Sequence, residues 1–506
     1  MFIINEMKNV FVYIDYLDNL ALEHIQEELN LGNIVYALVC DKSIKICKSN
    51  LYASSLICNI CNCIICNKIN KLTNTNNLHV LKLHDMISEE DKSHAVAVKF
   101  VFNNVDELKS LDYHGVEVGY AAFSSYVSNT RNIDPSFNVY FRSIINDLLR
   151  SEVLIISLVE KFLKEHNIDL FIIHNGRHSN LKPFYRIAEI QNINFILTER
   201  QWGKDGWDLR NDFYNTTPHS AIGISDKMVS RWDSAPENKE SIARSFFENR
   251  RHSKFSGDQN YIENQVENKL PQEFDSNKRN IVIFNSSEDE YYSINKEFDH
   301  SGIYTRQYFA LKALFEHYKN YRNYHFFLRI HPNLSEVPYD SHMKLYELKY
   351  ENVTIIPPSS PMSSYALMEA CEKVITFIST MTVESSYWRK PVIALNKFYY
   401  SYMDIANEPS NEEEFFQMIE NNRLPCKYNE NCLKVAYYYM AASAPSLQYF
   451  PTKKTRFYYG PIIIESFSQF KIFKSSFICA IFLKSLRLAG HFGIIGMYHK
   501  IAENTK

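Results

Sequence analysis

The sequence has no excess of charge of one sign: 55 Lys and Arg stand against 58 Asp and Glu, a formal net charge of -3. A chain so balanced has no overall field to gather nucleic acid, and no basic patch with interleaved aromatics lies outside its last residues. No nucleic-acid partner is expected. No window reaches about 18 consecutive apolar residues, which argues against a membrane-spanning helix. The opening residues, Met1-Phe2-Ile3-Ile4-Asn5-Glu6, lack the basic region and apolar run of a secretion signal. Ten cysteines without such a signal point to reduced thiols or a metal site, not to a disulfide framework. The expected location is the cytoplasm. Glycine is scarce, at 13, and no internal repeat is found.

What is present is an ordinary globular composition, 45% apolar and 22% charged, in a chain of 506 residues. That length exceeds what one hydrophobic core usually serves, so two or three domains are expected. Short apolar runs recur at 10–14, 34–39, 79–83, 170–174, 195–198 and 221–224, and again at 281–284, 325–330, 353–356, 374–378 and 392–395. Each suits a strand covered on both faces. Helical patterns at 137–165, 304–318, 363–370, 382–388 and 412–419 lie between them. Alternating strands and helices indicate an α/β fold with doubly wound parallel sheets.

Residues 233–278 are polar, carry both charges, and hold no strand-like run. They are the expected linker, with room for one helix. The reading is a first Rossmann-like domain over 1–232, this linker over 233–278, a second Rossmann-like domain over 279–445, and a tail over 446–506. From Thr452 the tail has nine Lys or Arg against two Glu, a net +7. It is expected to be helical, either packing back on the first domain or docking on an anionic membrane surface.

Three polar turns carry the candidate chemistry. The strand His325-Phe326-Phe327-Leu328-Arg329-Ile330 runs into His331-Pro332-Asn333, at the sheet edge where such folds bind ligands. Arg329 and His331 alternate with apolar neighbours, share one face, and are both suited to a phosphate. Val374-Ile375-Thr376-Phe377-Ile378-Ser379-Thr380-Met381-Thr382-Val383-Glu384 reads as strand, turn and helix start. Free N–H groups and hydroxyls at such a turn make an anion site, and Glu384 is placed to accept from ribose hydroxyls. The plainer alternative is a capped helix with Glu384 favoured by its dipole. Ile283-Phe284-Asn285-Ser286-Ser287 supplies the third turn.

This set resembles the donor-binding half of capsule-polysaccharide glycosyltransferases, GT-B enzymes similar in pattern to bacterial Kdo- and sialyltransferases. The resemblance covers residues 279–396 and rests on the Arg-x-His-Pro-Asn turn, the Ser379-Thr380 turn with Glu384, the strand after Lys390-Pro391, and Asn285-Ser286-Ser287-Glu288-Asp289-Glu290-Tyr291. It implies two Rossmann-like domains facing a cleft. It also implies phosphate contacts by His331 and Pro332, and donor phosphate or carboxylate held by Ser379 and Thr380. The candidate donor set is Asn285, Ser286, Arg329, His331, Pro332, Ser379, Thr380, Thr382 and Glu384. Sialyltransferases carry an acidic pair before Gly in the first half, where this chain has only Lys204-Asp205-Gly206.

The first half would face the acceptor. Leu170-Phe171-Ile172-Ile173-His174 runs into Asn175-Gly176-Arg177, which makes Asn175 and Arg177 the acceptor-side candidates. An inverting transfer needs a carboxylate to take the acceptor hydroxyl proton. Glu199 is the first candidate, then Asp205, with Glu117 behind them; a surface ion pair is the alternative for Glu199. Cys58-x2-Cys61 and Cys63-x2-Cys66 stand only one residue apart, too close for two zinc knuckles, so Cys47 with Cys58 and Cys61 is the easier metal set. Zinc there would be structural, since transfer is expected to need no cofactor; idle thiols are the alternative.

The expected function is transfer of a sugar from a nucleotide-sugar donor to a glycan or lipid-linked acceptor in capsule or lipopolysaccharide synthesis. The rivals are a polyol-phosphate transferase, recognised by CMP release with glycerol phosphate joined to the acceptor, and a non-catalytic capsule-assembly partner.

Overall fold

The computed structural model describes residues 7–452, except 15–18, 45, 258–259 and 336, together with 457–459 and 462–464. The first domain holds β1 (Asn9–Ile14), β2 (Ile34–Val39), β3 (Leu78–Lys82), β4 (Leu170–His174) and β5 (Asn194–Thr198). A small antiparallel hairpin follows, β6 (Arg200–Trp202) with β7 (Asp208–Arg210), and then β8 (Phe213–Tyr214). The main sheet runs β3-β2-β1-β4-β5-β8, parallel except for the antiparallel edge strand β8. The second domain holds β9 (Arg279–Phe284), β10 (Tyr324–Arg329), β11 (Val353–Ile356), β12 (Lys373–Thr376) and β13 (Val392–Ala394). These form an all-parallel sheet in the order β11-β10-β9-β12-β13.

Both sheets thus place their first strand centrally and reverse direction beside it, the Rossmann plan. Central strands are covered on both faces, so β10 is buried throughout and β1 at all but its first residue. That burial is why their sequences read as unbroken apolar runs. Two such domains facing a cleft make the GT-B arrangement.

The run at 221–224 is not a strand. Ser220 accepts a hydrogen bond from Gly223 N–H and caps the helix Ala221–Asp233, whose Ile224, Met228 and Trp232 recur every fourth residue and are buried. A four-residue apolar run does not distinguish strand from buried helix; the cap does. Within residues 233–278 lies the helix Lys239–Arg251. Its Phe247 stacks on Tyr387 at 3.6 Å and its Phe246 on Tyr439 at 5.8 Å, fixing it to the second domain and to the helix Asn431–Tyr439.

After that helix the chain returns to the first domain, where Ser446 forms a β-bridge with Leu209. Arg210 N–H donates to Pro445 O and Asp208 N–H to Thr452 O, each at 2.8 Å. The buried carboxylate of Glu23 accepts the backbone N–H groups of Gln448, Tyr449 and Phe450. Of the tail, β14 (Phe457–Tyr459) pairs antiparallel with β15 (Ile462–Ile464), and the helix expected in it falls on 467–498, outside the described residues. Residues 467–506, the stretch proposed to reach a membrane surface, lie outside the described residues. Among the described residues no helix is long and apolar enough to cross a membrane.

Candidate functional site

The turns after β9, β10 and β12 meet around a cavity of about 410 Å³. The first turn stitches the other two together: Asn285 Oδ1 accepts His331 N–H at 2.7 Å, and Ser286 Oγ donates to Ile378 O. Because β9 sits between β10 and β12, its loop is the one that can reach both neighbours. Of the nine donor-set residues, Asn285, Ser286, Arg329, His331, Pro332, Ser379, Thr380 and Glu384 line this cavity. Thr382 does not: it is fully buried behind the turn, its hydroxyl 2.8 Å from that of Thr376.

Arg329 is 2% exposed. Its Nη2 donates to Ser360 O at 3.1 Å, while Nε and Nη1 are buried without a hydrogen-bond partner. Burial alone pulls the guanidinium down to about 10, with no carboxylate acting against it. Buried cations in native proteins are nearly always paired, so the missing counter-charge points to an anionic ligand.

His331 differs from the sequence expectation in kind. Burial first, then the Arg131 charge, hold its pKa down at about 4, so near neutral pH it is uncharged. Its Nδ1 accepts Asn333 N–H at 3.1 Å, which leaves the proton on Nε2. It is a neutral donor beside a cationic Arg329, with the Tyr261 ring set edge-on at 5.3 Å.

The helix Met381–Tyr387 offers less than its sequence suggested. Met381 N–H bonds Ser379 Oγ, Thr382 N–H bonds Ser379 O, and Val383 and Glu384 N–H both bond Thr380 O. Its first turn is therefore satisfied internally, and the turn presents hydroxyls instead of free N–H groups. Glu384 is likewise committed. Its Oε1 accepts from Arg250 Nε at 3.0 Å and its Oε2 from the Tyr365 hydroxyl, with the carboxylate 1% exposed. Arg250 also reaches Thr380 Oγ1 at 3.3 Å.

Several cavity residues were missed by the sequence reading: Arg250, Asn260, Tyr261 and Gln265 from the segment read as linker, Tyr365, and Trp202 from the β6–β7 hairpin. Apolar side chains in that segment, Phe246-Phe247 before Arg250 and Tyr261-Ile262 after Asn260, were the available signal.

The first domain closes the cleft with charge. Arg131 spans to Asp289 (Nε–Oδ2 2.6 Å), Ser287 Oγ (2.9 Å) and Asn333 O (2.8 Å). Lys109 pairs with Asp299 at 2.8 Å, and Arg306 with Asp134 at 2.8 Å. Arg177 donates to Glu290 O, on the cavity rim, at 3.2 Å. It is placed there by the left-handed Asn175 and Gly176; a Cβ on Gly176 would stand 2.8 Å from Leu197 Cδ1.

Glu199 follows β5, and its Oε1 accepts from Asn175 Nδ2. Burial raises its pKa, against the lowering effect of Asn175 and of the Arg177 and Lys48 charges. It is half-buried, with Asn175 as a hydrogen-bond partner. Asp205 is exposed at the hairpin tip, away from the cavity lining. Glu117 pairs with Arg186 at 3.0 Å and Lys182 at 3.6 Å.

Cys40, Cys47, Cys58 and Cys61 border a separate small cavity of about 30 Å³. All described cysteines are free, and among the described residues no three His, Cys, Asp or Glu side chains converge as metal ligands. The reason is helical: Cys58, Cys61, Cys63 and Cys66 share the helix Ser55–Ile69, where 3.6 residues per turn spread the two pairs over different faces. Asn50 donates to Cys58 Sγ at 3.1 Å, and burial pushes Cys40 up to about 11.

No protein-family model and no curated protein matches the chain. Among solved structures it is similar to KpsC, beta Kdo 2,4 transferase, of Thermosulfurimonas dismutans, with 12% identity, 53% of this chain and 79% of that one covered, and a TM-score of 0.36. For the beta Kdo 2,7 transferase of the same KpsC the values are 13%, 61%, 85% and 0.33. For the UDP-GlcNAc 2-epimerase from Neisseria meningitidis bound to UDP-GlcNAc they are 14%, 86%, 99% and 0.29.

Proposed function

We propose that the chain is a GT-B glycosyltransferase that moves a sugar from a nucleotide-activated donor to a glycan or lipid-linked acceptor, in surface polysaccharide synthesis of the capsule or lipopolysaccharide kind. The observation that carries this reading is the buried, uncompensated Arg329 in a cavity at the point where the second sheet reverses its strand order. A nucleotide phosphate supplies the missing negative charge. The His331 Nε2–H donates to a phosphate oxygen, and the Ser379 and Thr380 hydroxyls complete the cradle. Trp202 and Tyr261 offer ring faces for the base or sugar.

Transfer then proceeds across the cleft. Glu199 takes the proton from the attacking acceptor hydroxyl, whose oxygen bonds the anomeric carbon as the bond to the nucleotide phosphate breaks. The negative charge developing on the leaving phosphate is met by Arg329 and His331, groups already in place. A carboxylate whose pKa is raised by burial is the better base near neutrality.

The test is a thermal-shift screen of CMP, CDP, UDP and GDP, since a ligand that binds only the native state raises the melting temperature. One of them should raise it in proportion to the logarithm of its concentration, and Arg329→Gln should require about ten- to a hundredfold more nucleotide for the same shift. Four nucleotides without effect at millimolar concentration would overturn the reading.

A further inference from the structure

The helix Val118–Thr130 of the first domain ends where Arg131 turns the backbone left-handed, at a φ of 61°. Glycine usually fills such a position because a Cβ is disfavoured there, so an arginine points to a use for its side chain. The turn is held by its own residues. Arg131 N–H bonds Val127 O at 2.7 Å, Asn132 N–H bonds Thr130 Oγ1 at 3.2 Å, and Asp134 N–H bonds Asn132 Oδ1 at 3.1 Å. The Arg131 side chain thus crosses the cleft from a fixed base.

Its guanidinium divides between two turns of the second domain. After β9, Nε and Nη2 donate to the two oxygens of Asp289 at 2.6 and 3.2 Å, and Nη2 also donates to Ser287 Oγ at 2.9 Å. After β10, Nη1 donates to Asn333 O at 2.8 Å. A planar fork suits such simultaneous contacts. Both turns belong to the donor cavity, which Ser287, Glu290, His331 and Pro332 line. The bonds continue inward: Ser287 Oγ donates to Asp289 Oδ1 at 2.6 Å, Asn333 Nδ2 to Glu290 Oε1, and Asn333 N–H to His331 Nδ1 at 3.1 Å. Asn333 therefore takes a bond from Arg131 on its carbonyl and gives one to the ring nitrogen whose occupation leaves the His331 proton on Nε2. Arg131 and Asp289 are also the charges that act on His331, the first disfavouring its protonation and the second favouring it.

We infer that Arg131 is a positioning residue that completes the donor site from the other domain, holding the turns after β9 and β10 together so that the His331 ring keeps its N–H toward the donor. The inference rests on the reading of that cavity as a nucleotide-sugar site and adds a first-domain residue to its working parts. The site is whole only while the lobes are closed. The other pairs across the cleft, Lys109–Asp299 and Arg306–Asp134, join residues outside these two turns.

The test compares Arg131→Met, Arg131→Lys and Asp134→Asn with wild type by two measurements. Calorimetry with CMP, CDP, UDP and GDP reads the donor site. NMR of histidine-labelled protein without nucleotide reads the His331 ring, whose signal is the one lost in His331→Gln. Arg131→Met should weaken the nucleotide that binds by about tenfold, and should raise the charged fraction of His331 at about pH 5 by roughly twofold or more. Arg131→Lys keeps the cation without the fork, so it should hold the ring uncharged yet recover only part of the affinity; it also serves if the Met variant does not fold. Asp134→Asn removes a charge pair across the cleft outside both turns and should change neither measurement. Unchanged affinity or an unchanged ring in Arg131→Met, full affinity in Arg131→Lys, or equal losses in Asp134→Asn would overturn the inference. If no nucleotide binds wild-type protein, the donor reading fails by itself, because the His331 titration needs no nucleotide and still reports whether Arg131 sets the ring.

Discussion

Replacing Arg329 by Met should make the empty protein more stable while weakening its hold on a nucleotide. The guanidinium is 2% exposed and sits at about 10, with burial as the sole cause. A fall of that size from the ordinary guanidinium value corresponds to about 3 kcal/mol of lost solvation that the folded state carries at neutral pH. The sign follows from linkage: a cation whose folded pKa is lowered destabilises the fold throughout the range below that pKa, and is relieved only as pH rises through it. Met fills similar volume without the charge. Against this gain stands the bond from Nη2 to Ser360 O, worth about 1 kcal/mol, and the carbonyl left behind. The net expectation is a stabilisation of about 1–2 kcal/mol, seen as a rise of a few degrees in melting temperature. Nucleotide affinity, measured by calorimetry, should fall by about ten- to a hundredfold, the worth of one charge-assisted contact. A variant that melts well below wild type would show that the charge is matched within the fold. One that stabilises but binds nucleotide unchanged would show that the charge is not matched by the ligand.

His331, held at about 4 in the fold, should make stability fall as pH drops from about 6.5 to 4, because the unfolded chain takes up a proton there that the folded one refuses. His331→Gln should flatten that part of a denaturation-against-pH profile, and an unaltered profile would contradict the burial of the ring. Arg250→Met leaves the Glu384 carboxylate buried with only Tyr365, and should cost about 3–5 kcal/mol in urea unfolding; a cost below 1 kcal/mol would mean the pair is solvated. Glu199→Gln should lower kcat by about a hundred- to ten-thousandfold with the melting temperature held, and residual turnover within tenfold of wild type would remove it as the base.

How much of this was readable in advance depended on whether the cause was local. Strands covered on both faces write their burial directly into the sequence, which is why β1, β9 and β10 stand out. Turns at the ends of adjacent parallel strands must lie at one edge, so three separated motifs converge on one cavity without any contact having been known. Glu384 illustrates the limit. Its place in the first turn of a helix was visible, but not the Arg250 side chain that arrives from 134 positions away to occupy it. The 221–224 run failed for a different reason: four apolar residues have the same pattern in either secondary structure, and Ser220 decided between them. His331 was legible as a ligand-facing side chain but not as a neutral one, since its charge state is set by the surrounding protein.

The crossing back of residues 445–452 gives the molecule two spans between its lobes where a simple tandem arrangement would have one. The lobes are therefore tied by the chain at two places and by the ion pairs Arg131–Asp289, Lys109–Asp299 and Arg306–Asp134 across the cleft. The clasp at Glu23 also makes the return span costly to remove, since a chain cut at 445 would strand a buried carboxylate that now receives three backbone N–H groups. A shortened form of the second lobe would thus betray itself by weakening the first.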